Sequence, residues 1–244
     1  MLKKITDTEN NFLKSYKWHE FATPLLSIDP VLFTYRFGQL RVLLVKRSNH
    51  PDKGLWGLPS GFVDMEHDET LEATALRKLY EKTHVKPPYL EQLYSFGNSS
   101  RDKRAWSVSI AYTALIAHQE CQAYIETLSD TQWWVYETLD EIKLAIDHRQ
   151  IIDFARERLR QKALYSIVPA YALSEKFTLP ELQHLHEVLI GKKLPKKSFR
   201  RRIEQAGLLI DTGEKQMDSG GRPATLYRMK ETARHYTFIR NLEE

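Results

Sequence analysis

Apolar positions along the first 160 residues fall into short runs that mix two periodicities. "PVLFTY" and "LRVLLVKR" are β-branched and apolar stretches separated by the turn residues "RFGQ", which predicts a hairpin whose second strand ends on Lys46 and Arg47. "NHPDKGLWGLPSG" is rich in Gly and Pro and reads as a loop delivering the chain to "GFVD". Leu71, Ala75 and Leu79 then recur at helical spacing, predicting a helix over Glu69–Thr83 with Asp68 as its N-cap. "EQLYSFGNSSRDKRAWSVSIAYTALIA" predicts two strands flanking a polar loop, and "TQWWVYETLDEI" a strand running into a turn. "HRQIIDFARERLRQKAL" closes this half as an amphipathic helix with Ile151, Ile152, Ala155 and Leu159 on one side.

The pattern changes after residue 160. "TLPELQHLHEVLIGKKLPKKSFRRRIEQAGLLIDTGEKQMDSGGRPATLYRM" reads as helix, Gly-containing turn, second helix and two strands around the Gly-rich turn "MDSGGRP", the order of a winged helix. Thr178 and Glu181 form a predicted capping box with Pro180 in the first turn, Leu182, Leu185 and Leu189 face inward, and Gly191 ends the helix. In the second helix Phe199, Ile203 and Ala206 point inward together, turning Lys197, Ser198, Arg201 and Gln205 outward. Those are side chains that reach phosphates and base edges in a major groove. Lys196, Arg200 and Arg202 add positive charge around that face, and Arg222 at the wing tip is placed for a minor groove. The expected division is 1–160 for a ligand-sensing domain and 161–244 for a DNA-binding domain.

Composition sharpens this division. The chain has 244 residues, 42% hydrophobic and 28% charged, and a net charge of +4. Residues 161–244 carry 15 Lys and Arg against 10 Asp and Glu, so the basic excess is C-terminal and a basic partner-binding surface belongs there. The lone Cys121 excludes an internal disulfide and a cysteine-based zinc site and reads as a buried small hydrophobe. No apolar stretch approaches a spanning helix and no leader pattern is visible, which predicts a cytoplasmic protein without membrane association.

Residues 61–85, "GFVDMEHDETLEATALRKLYEKTHV", resemble the Nudix box, in which a Gly, a Glu and the run Arg-Glu-apolar-x-Glu-Glu-x-Gly-apolar lie on a loop, helix and loop. Gly61, Glu69, Arg77, Leu79 and Val85 occupy their positions, and the approach "GLWGLPSG" is also box-like. The departures are chemical. The loop between Gly61 and Glu69 is two residues longer than the pattern, the helix carboxylates become Lys78, Glu81 and Lys82, and the box glycine is His84. Positions 78, 81 and 82 converge on one helix face. Carboxylates there would gather Mg²⁺, whereas two ammonium groups repel the metal and attract a diphosphate directly. The expected outcome is nucleotide diphosphate binding without efficient hydrolysis, with no catalytic and no metal-binding residues. A rival reading has Asp64, Glu66, Asp68 and Glu72 rebuild a metal site from the lengthened loop. Arg47, Gly61, Lys78, Glu81 and Lys82 form one side of the expected pocket. Arg101 and Arg104, in a polar loop expected to be mobile, form the other by forking onto phosphates. Trp106 is either a base-stacking side chain or core.

Over nearly its full length the chain resembles the Nudix-related transcriptional regulators of the NrtR family. The resemblance is carried by "LLVKRSNHPDKGLWGLPSGFVD", the altered box, "GNSSRDKRAWSVS", "ALYSIVPAYALSEKFTLPELQHLHEVL" and "KSFRRRIEQAGLL". It implies an α+β chain: a Nudix α/β/α sandwich with a mixed sheet, followed by a C-terminal winged helix-turn-helix domain. It further implies a homodimeric repressor of NAD biosynthesis or salvage genes that binds an inverted-repeat operator in double-stranded DNA. ADP-ribose would be the effector that releases DNA, with no cofactor required and Mg²⁺ needed only for residual hydrolysis. Two alternatives remain: an active hydrolase of ADP-ribose or a related nucleoside diphosphate, and a basic module that binds acidic protein or RNA.

Overall fold

The computed structural model describes residues 7–17, 20–216, 223–239 and 241–242. A short helix α1, Asp7–Ser15, precedes the first strand and has no counterpart in the sequence expectations; its Phe12 and Leu13 stay exposed. Strands β1 (Leu25–Arg36) and β2 (Gln39–Lys46) form the expected antiparallel hairpin, in register Phe33↔Val42 to Arg36↔Gln39. Its two turn residues, Phe37 and Gly38, both take positive φ (51° and 77°), the conformation that matches a two-residue turn to strand twist.

Two-residue strands β3 (Trp56–Gly57) and β4 (Gly61–Phe62) lead to α2, Leu71–Thr83. This helix begins two residues later than expected, and Thr70, not Asp68, is its N-cap, accepting from the Ala73 N–H. Asp68 is already engaged: its carboxylate takes hydrogen bonds from Arg77 Nε at 2.8 Å, the Thr74 hydroxyl at 2.9 Å and the Asp64 N–H at 2.9 Å. At the other end His84 holds the left-handed conformation (φ 55°) that the box glycine would supply, and its ring stacks between Tyr80 and Tyr124.

Strands β5 (Tyr89–Asn98) and β6 (Ser107–Leu115) flank the polar loop as expected. Helix α3 (His118–Ile125), absent from the sequence reading, joins them to β7 (Thr131–Val135), and α4 (His148–Tyr165) follows. The sheet order is β3-β2-β1-β6-β5, with β4 on β1 and β7 on β2; β1 and β6 run parallel and their other pairings are antiparallel. One face buries Ile28, Leu32 and Leu43 against Ala75 and Leu79 of α2 and Cys121 and Ile125 of α3. The other buries Val31, Phe33, Val42 and Leu44 against Ile151, Ile152, Ala155 and Leu159 of α4. Each of these Val, Leu, Ile and Phe side chains contributes about 1.5–3 kcal/mol when fully buried, which holds α4 to the sheet.

The C-terminal part consists of β8 (Phe177–Thr178), α5 (Leu179–Ile190), α6 (Lys196–Ala206), β9 (Leu209–Gln216) and β10 (Ala224–Met229), with strand order β8-β10-β9. Thr178 and Glu181 form the capping box, and Gly191 closes α5 at φ 79°. The core is continuous with that of the first domain: Leu182, Leu185, Leu189, Phe199 and Ile203 join the cluster containing α4. His186 crosses this junction, hydrogen-bonded through Nδ1 to the Ala163 carbonyl (2.9 Å) with its ring edge-on to Phe199. The expected boundary at 160/161 lies within α4, which runs unbroken to Tyr165.

Candidate functional site

A cavity of about 310 Å³ opens where the end of β2, the following loop, β4, α2 and the loop 99–106 meet. Arg47, Gly61, Lys78, Glu81, Lys82, Arg101 and Arg104 all line it. Their commitments differ. Lys78 Nζ reaches both oxygens of Glu81 at 3.0 Å, and Lys82 Nζ reaches Asp130 at 2.8 Å. Arg77 binds Glu81 at 3.0 Å and the Phe62 carbonyl at 3.3 Å while holding Asp68, so it ties the box helix to the box loop. Arg47 Nε donates to the Pro51 carbonyl at 3.0 Å, which keeps the strand end against its loop.

This donor set does not fit Mg²⁺, which takes several oxygen ligands. Glu81 is the one carboxylate on the box face of the helix, and two cations already hold it. The loop does not supply a replacement. Hydrogen bonds from Arg77, against the effect of burial, hold the Asp68 carboxyl well below the usual carboxylate range, Asp64 turns to His67 and the Glu66 N–H, and Glu66 and Glu72 are exposed. Among the described residues no group of three His, Cys, Asp or Glu side chains is placed to hold a metal. The loop carboxylates weighed from the sequence therefore do not converge as a group of three among the described residues.

The loop 99–106 also departs from expectation. The Arg101 side chain is buried, not free: its guanidinium forks onto Asp147 (2.9 and 2.8 Å) and reaches Asp29 and the Ser107 hydroxyl at 3.3 Å. Burial works against its charge, and the two carboxylates overcome it, so its pKa rises. Asn98 accepts from the Ser100 and Arg101 N–H groups, and buried Asp102 accepts from the Arg104 N–H and guanidinium. The loop is thus pinned by its own polar side chains. Arg104 alone keeps an exposed guanidinium, 5.2 Å over the Phe62 ring. Trp106 is half exposed with Gly97 against its ring, so it is not core.

The sequence reading missed His148. It is fully buried, its Nδ1 accepts from the Leu58 N–H at 2.9 Å, and it lines the same cavity. Because Nδ1 accepts that N–H, the ring is neutral with its proton on Nε2, and burial lowers its pKa in the same direction. Gly57 makes room for it: a Cβ there would stand 2.6 Å from Nδ1. In the sequence His148 is only the first residue of an amphipathic helix, and nothing in that pattern marks it.

On α6, Phe199 and Ile203 are buried and Lys196, Lys197, Arg201 and Gln205 are exposed. Ser198, Arg200 and Arg202 are half-buried, and Arg202 Nη1 donates to the Asn241 carbonyl, anchoring the C-terminal segment. The outward expectation for Ser198 is therefore met only in part. Arg222 lies outside the described residues.

A mixed sheet between helices, a box-type loop and helix over a cation-lined cavity, and an appended winged helix define a regulator that pairs a Nudix domain with a DNA-binding module. Residues 30–154 match the NUDIX domain, and residues 169–229 match the NrtR DNA-binding winged helix domain. The chain belongs to the NrtR family. It is 41% identical over 236 residues (97% of this chain, 94% of the relative) to the ADPR responsive transcriptional repressor NtrR of Acinetobacter baylyi. The crystal structure of Shewanella oneidensis NrtR complexed with a 27mer DNA has 61% identity and a TM-score of 0.87, over 89% of this chain and 99% of that one. The NUDIX domain of the same protein complexed with ADP ribose has 55% identity and a TM-score of 0.58, over 62% of this chain and 98% of that one.

Proposed function

We propose that this chain is a transcriptional repressor whose Nudix domain binds ADP-ribose and whose winged helix releases operator DNA in response. The observation that carries this reading is the replacement of a metal-binding face by Lys78 and Lys82 on the cavity wall, in a chain that also presents exposed Lys196, Lys197 and Arg201 on its second winged-helix helix. Relatives in complex with DNA and with ADP ribose support both halves. The cavity binds and orients a diphosphate through Lys78, Lys82, Arg47 and Arg104, with Gly61 and Glu81 shaping its wall; Arg101 acts from behind by fixing the loop.

Hydrolysis is not its role, since a lone Glu81 held by two cations neither collects a metal nor activates water. The DNA contacts are Lys196, Lys197, Ser198, Arg200, Arg201 and Gln205, with Arg222 as a further cation for the duplex, while Arg202 supports them by holding the C-terminal segment. A homodimer in the cytoplasm would place two such helices on an inverted repeat controlling NAD biosynthesis or salvage genes, with the sensor ending and the DNA module beginning within α4, near residue 160. Among the described residues no helix is long and apolar enough to cross a membrane.

The test is selection of genomic DNA fragments on the purified protein with and without ADP-ribose. Enrichment of an inverted repeat that ADP-ribose releases is expected. Fragments retained without sequence preference, or AMP release with Mg²⁺ at enzymatic rates, would overturn the reading.

A further inference from the structure

A second cavity, of about 330 Å³, lies on the far side of Lys46 from the box cavity, between α3 and the β1, β2 and β7 strands. Its chemistry is unlike a solvated surface. Thr34 pairs with Arg41 and Leu43 with Trp133 across neighbouring strands, so Arg36, Arg41 and Trp133 all stand on the sheet face that α3 covers. The apolar cover ends at Cys121 and Ile125, and the two arginines occupy the ground beyond it.

Arg36 directs Nη1 at the His118 ring (3.1 Å to Nδ1) and lies over the Phe37 ring, and Arg41 Nη2 donates to Gln39 at 3.2 Å. Among the described residues neither guanidinium meets a carboxylate, whereas Arg77, Arg101, Arg104 and Arg149 all do. His118 is buried beside them, its ring 5.9 Å from Trp133. Burial first, and then the charges of Arg36 and Arg41, pull its pKa down to about 4, so it stays neutral and adds no third positive charge.

Three buried polar atoms of lining residues have no partner: Arg41 Nε, Trp133 Nε1 and Gln122 Oε1. Trp133 is only 7% exposed. The Gln122 amide nitrogen is taken by Glu126, which fixes the oxygen as the free end. These atoms lie closed off behind the wall; what faces the cavity is Arg36, Arg41 and Lys46 against the single carboxylate of Glu126, an excess of positive charge that suits a tetrahedral oxyanion.

We propose that this cavity is a second anion site, which takes a phosphate group between Arg36 and Arg41, close enough to the Trp133 indole to perturb it. Inorganic phosphate and a phosphate monoester share this chemistry. The site is distinct from the box cavity, with Lys46 as the shared wall.

The test uses the full chain with ¹⁵N-labelled indoles. Trp133→Phe identifies the Trp133 N–H resonance, which is followed while inorganic phosphate, ribose 5-phosphate or sodium chloride of matched ionic strength is added. A saturable shift with phosphate and not with chloride is expected, weakened about tenfold by Arg41→Gln or Arg36→Gln, as loss of one charge-assisted hydrogen bond requires. A tighter curve for ribose 5-phosphate than for phosphate assigns the site to a monoester; equal curves assign it to the free ion. The chloride arm reproducing the phosphate shift, or both folded arginine variants titrating like the wild type, would overturn the proposal.

Discussion

Lys78 lies so close across Gly61 that an ideal Cβ on residue 61 would stand 2.2 Å from Lys78 Cε. The lysine that replaces a box carboxylate is therefore packed against the backbone that opens the box, and Glu81 holds its ammonium in place from the next turn. Gly61→Ala would push the Lys78 stem aside and break the Lys78–Glu81 pair. The expected result is a small loss of stability, about 1 kcal/mol or less, because a flexible lysine tip yields and the pair it leaves is part-exposed, read by urea unfolding, together with weaker ADP-ribose binding by calorimetry. An alanine variant equal to wild type in both would show that the lysine moves without consequence.

Restoring carboxylates tests the same face from the other direction. Lys78→Glu with Lys82→Glu puts three glutamates on one side of α2 but removes the Lys82–Asp130 pair. The double variant should gain Mn²⁺ binding, detected by electron paramagnetic resonance of the free ion, while losing about 1 kcal/mol or less from each of two part-exposed ion pairs, Lys78–Glu81 and Lys82–Asp130. No Mn²⁺ uptake by a folded double variant would mean that the lengthened loop, not the lysines, excludes the metal.

The hairpin, the sheet strands, the capping box of α5 and the inward face of α6 were legible because each repeats an apolar period or ends on a capping residue. Asp68 was misread as an N-cap because it has the right residue type two positions too early; its partner Arg77 is nine residues away and invisible to local rules. Arg101 and Arg104 look alike in "SSRDKRAW", yet one is buried by Asp147, 46 residues on, and the other exposed. Helix α3 was missed because its apolar residues, Cys121 and Ile125, are too few to set a period. His148 needed the fold to bring Leu58 to it.

The two loop arginines should separate by experiment. Arg101→Ala strands buried Asp29 and the Asp147 carboxylate without their cation, and removing one partner of such a network costs about 3–5 kcal/mol. Arg104→Ala leaves Asp102 its backbone N–H and should be close to wild type in urea unfolding while losing ADP-ribose affinity. Equal stability of the two variants would contradict the buried role of Arg101.

Three buried histidines make stability depend on pH. Burial pulls His118 and His186 to about 4 and lowers His148, whereas in the unfolded chain each takes a proton near pH 6.5. Between those values the unfolded state binds more protons, so stability falls as pH drops from about 7 toward 4. His186→Gln keeps a donor for the Ala163 carbonyl but cannot titrate. It should flatten the dependence by up to about 3 kcal/mol between neutral pH and the folded pKa, measured by urea unfolding across that range. An unchanged slope would mean that His186 is not kept neutral in the fold.

The last prediction separates contact from scaffold on α6. Arg201 is exposed, while Arg202 is half-buried and bonded to the Asn241 carbonyl. Arg201→Ala should weaken operator binding by about 1–3 kcal/mol and relax choice at one base position, with urea unfolding unchanged. Arg202→Ala removes one tie on the C-terminal segment, which the Phe238 N–H on the Tyr165 carbonyl and the Leu242 N–H on the Leu164 carbonyl also hold. It should therefore lower stability more than it alters sequence preference. Lys196→Ala, at the exposed start of the helix, should weaken all DNA sequences alike and reduce the salt dependence by about one phosphate contact. Gel shifts over a salt series with the operator and a scrambled duplex read all three variants. A uniform loss for Arg201→Ala would reassign it to the phosphate backbone, and no loss at all would remove α6 from the major groove.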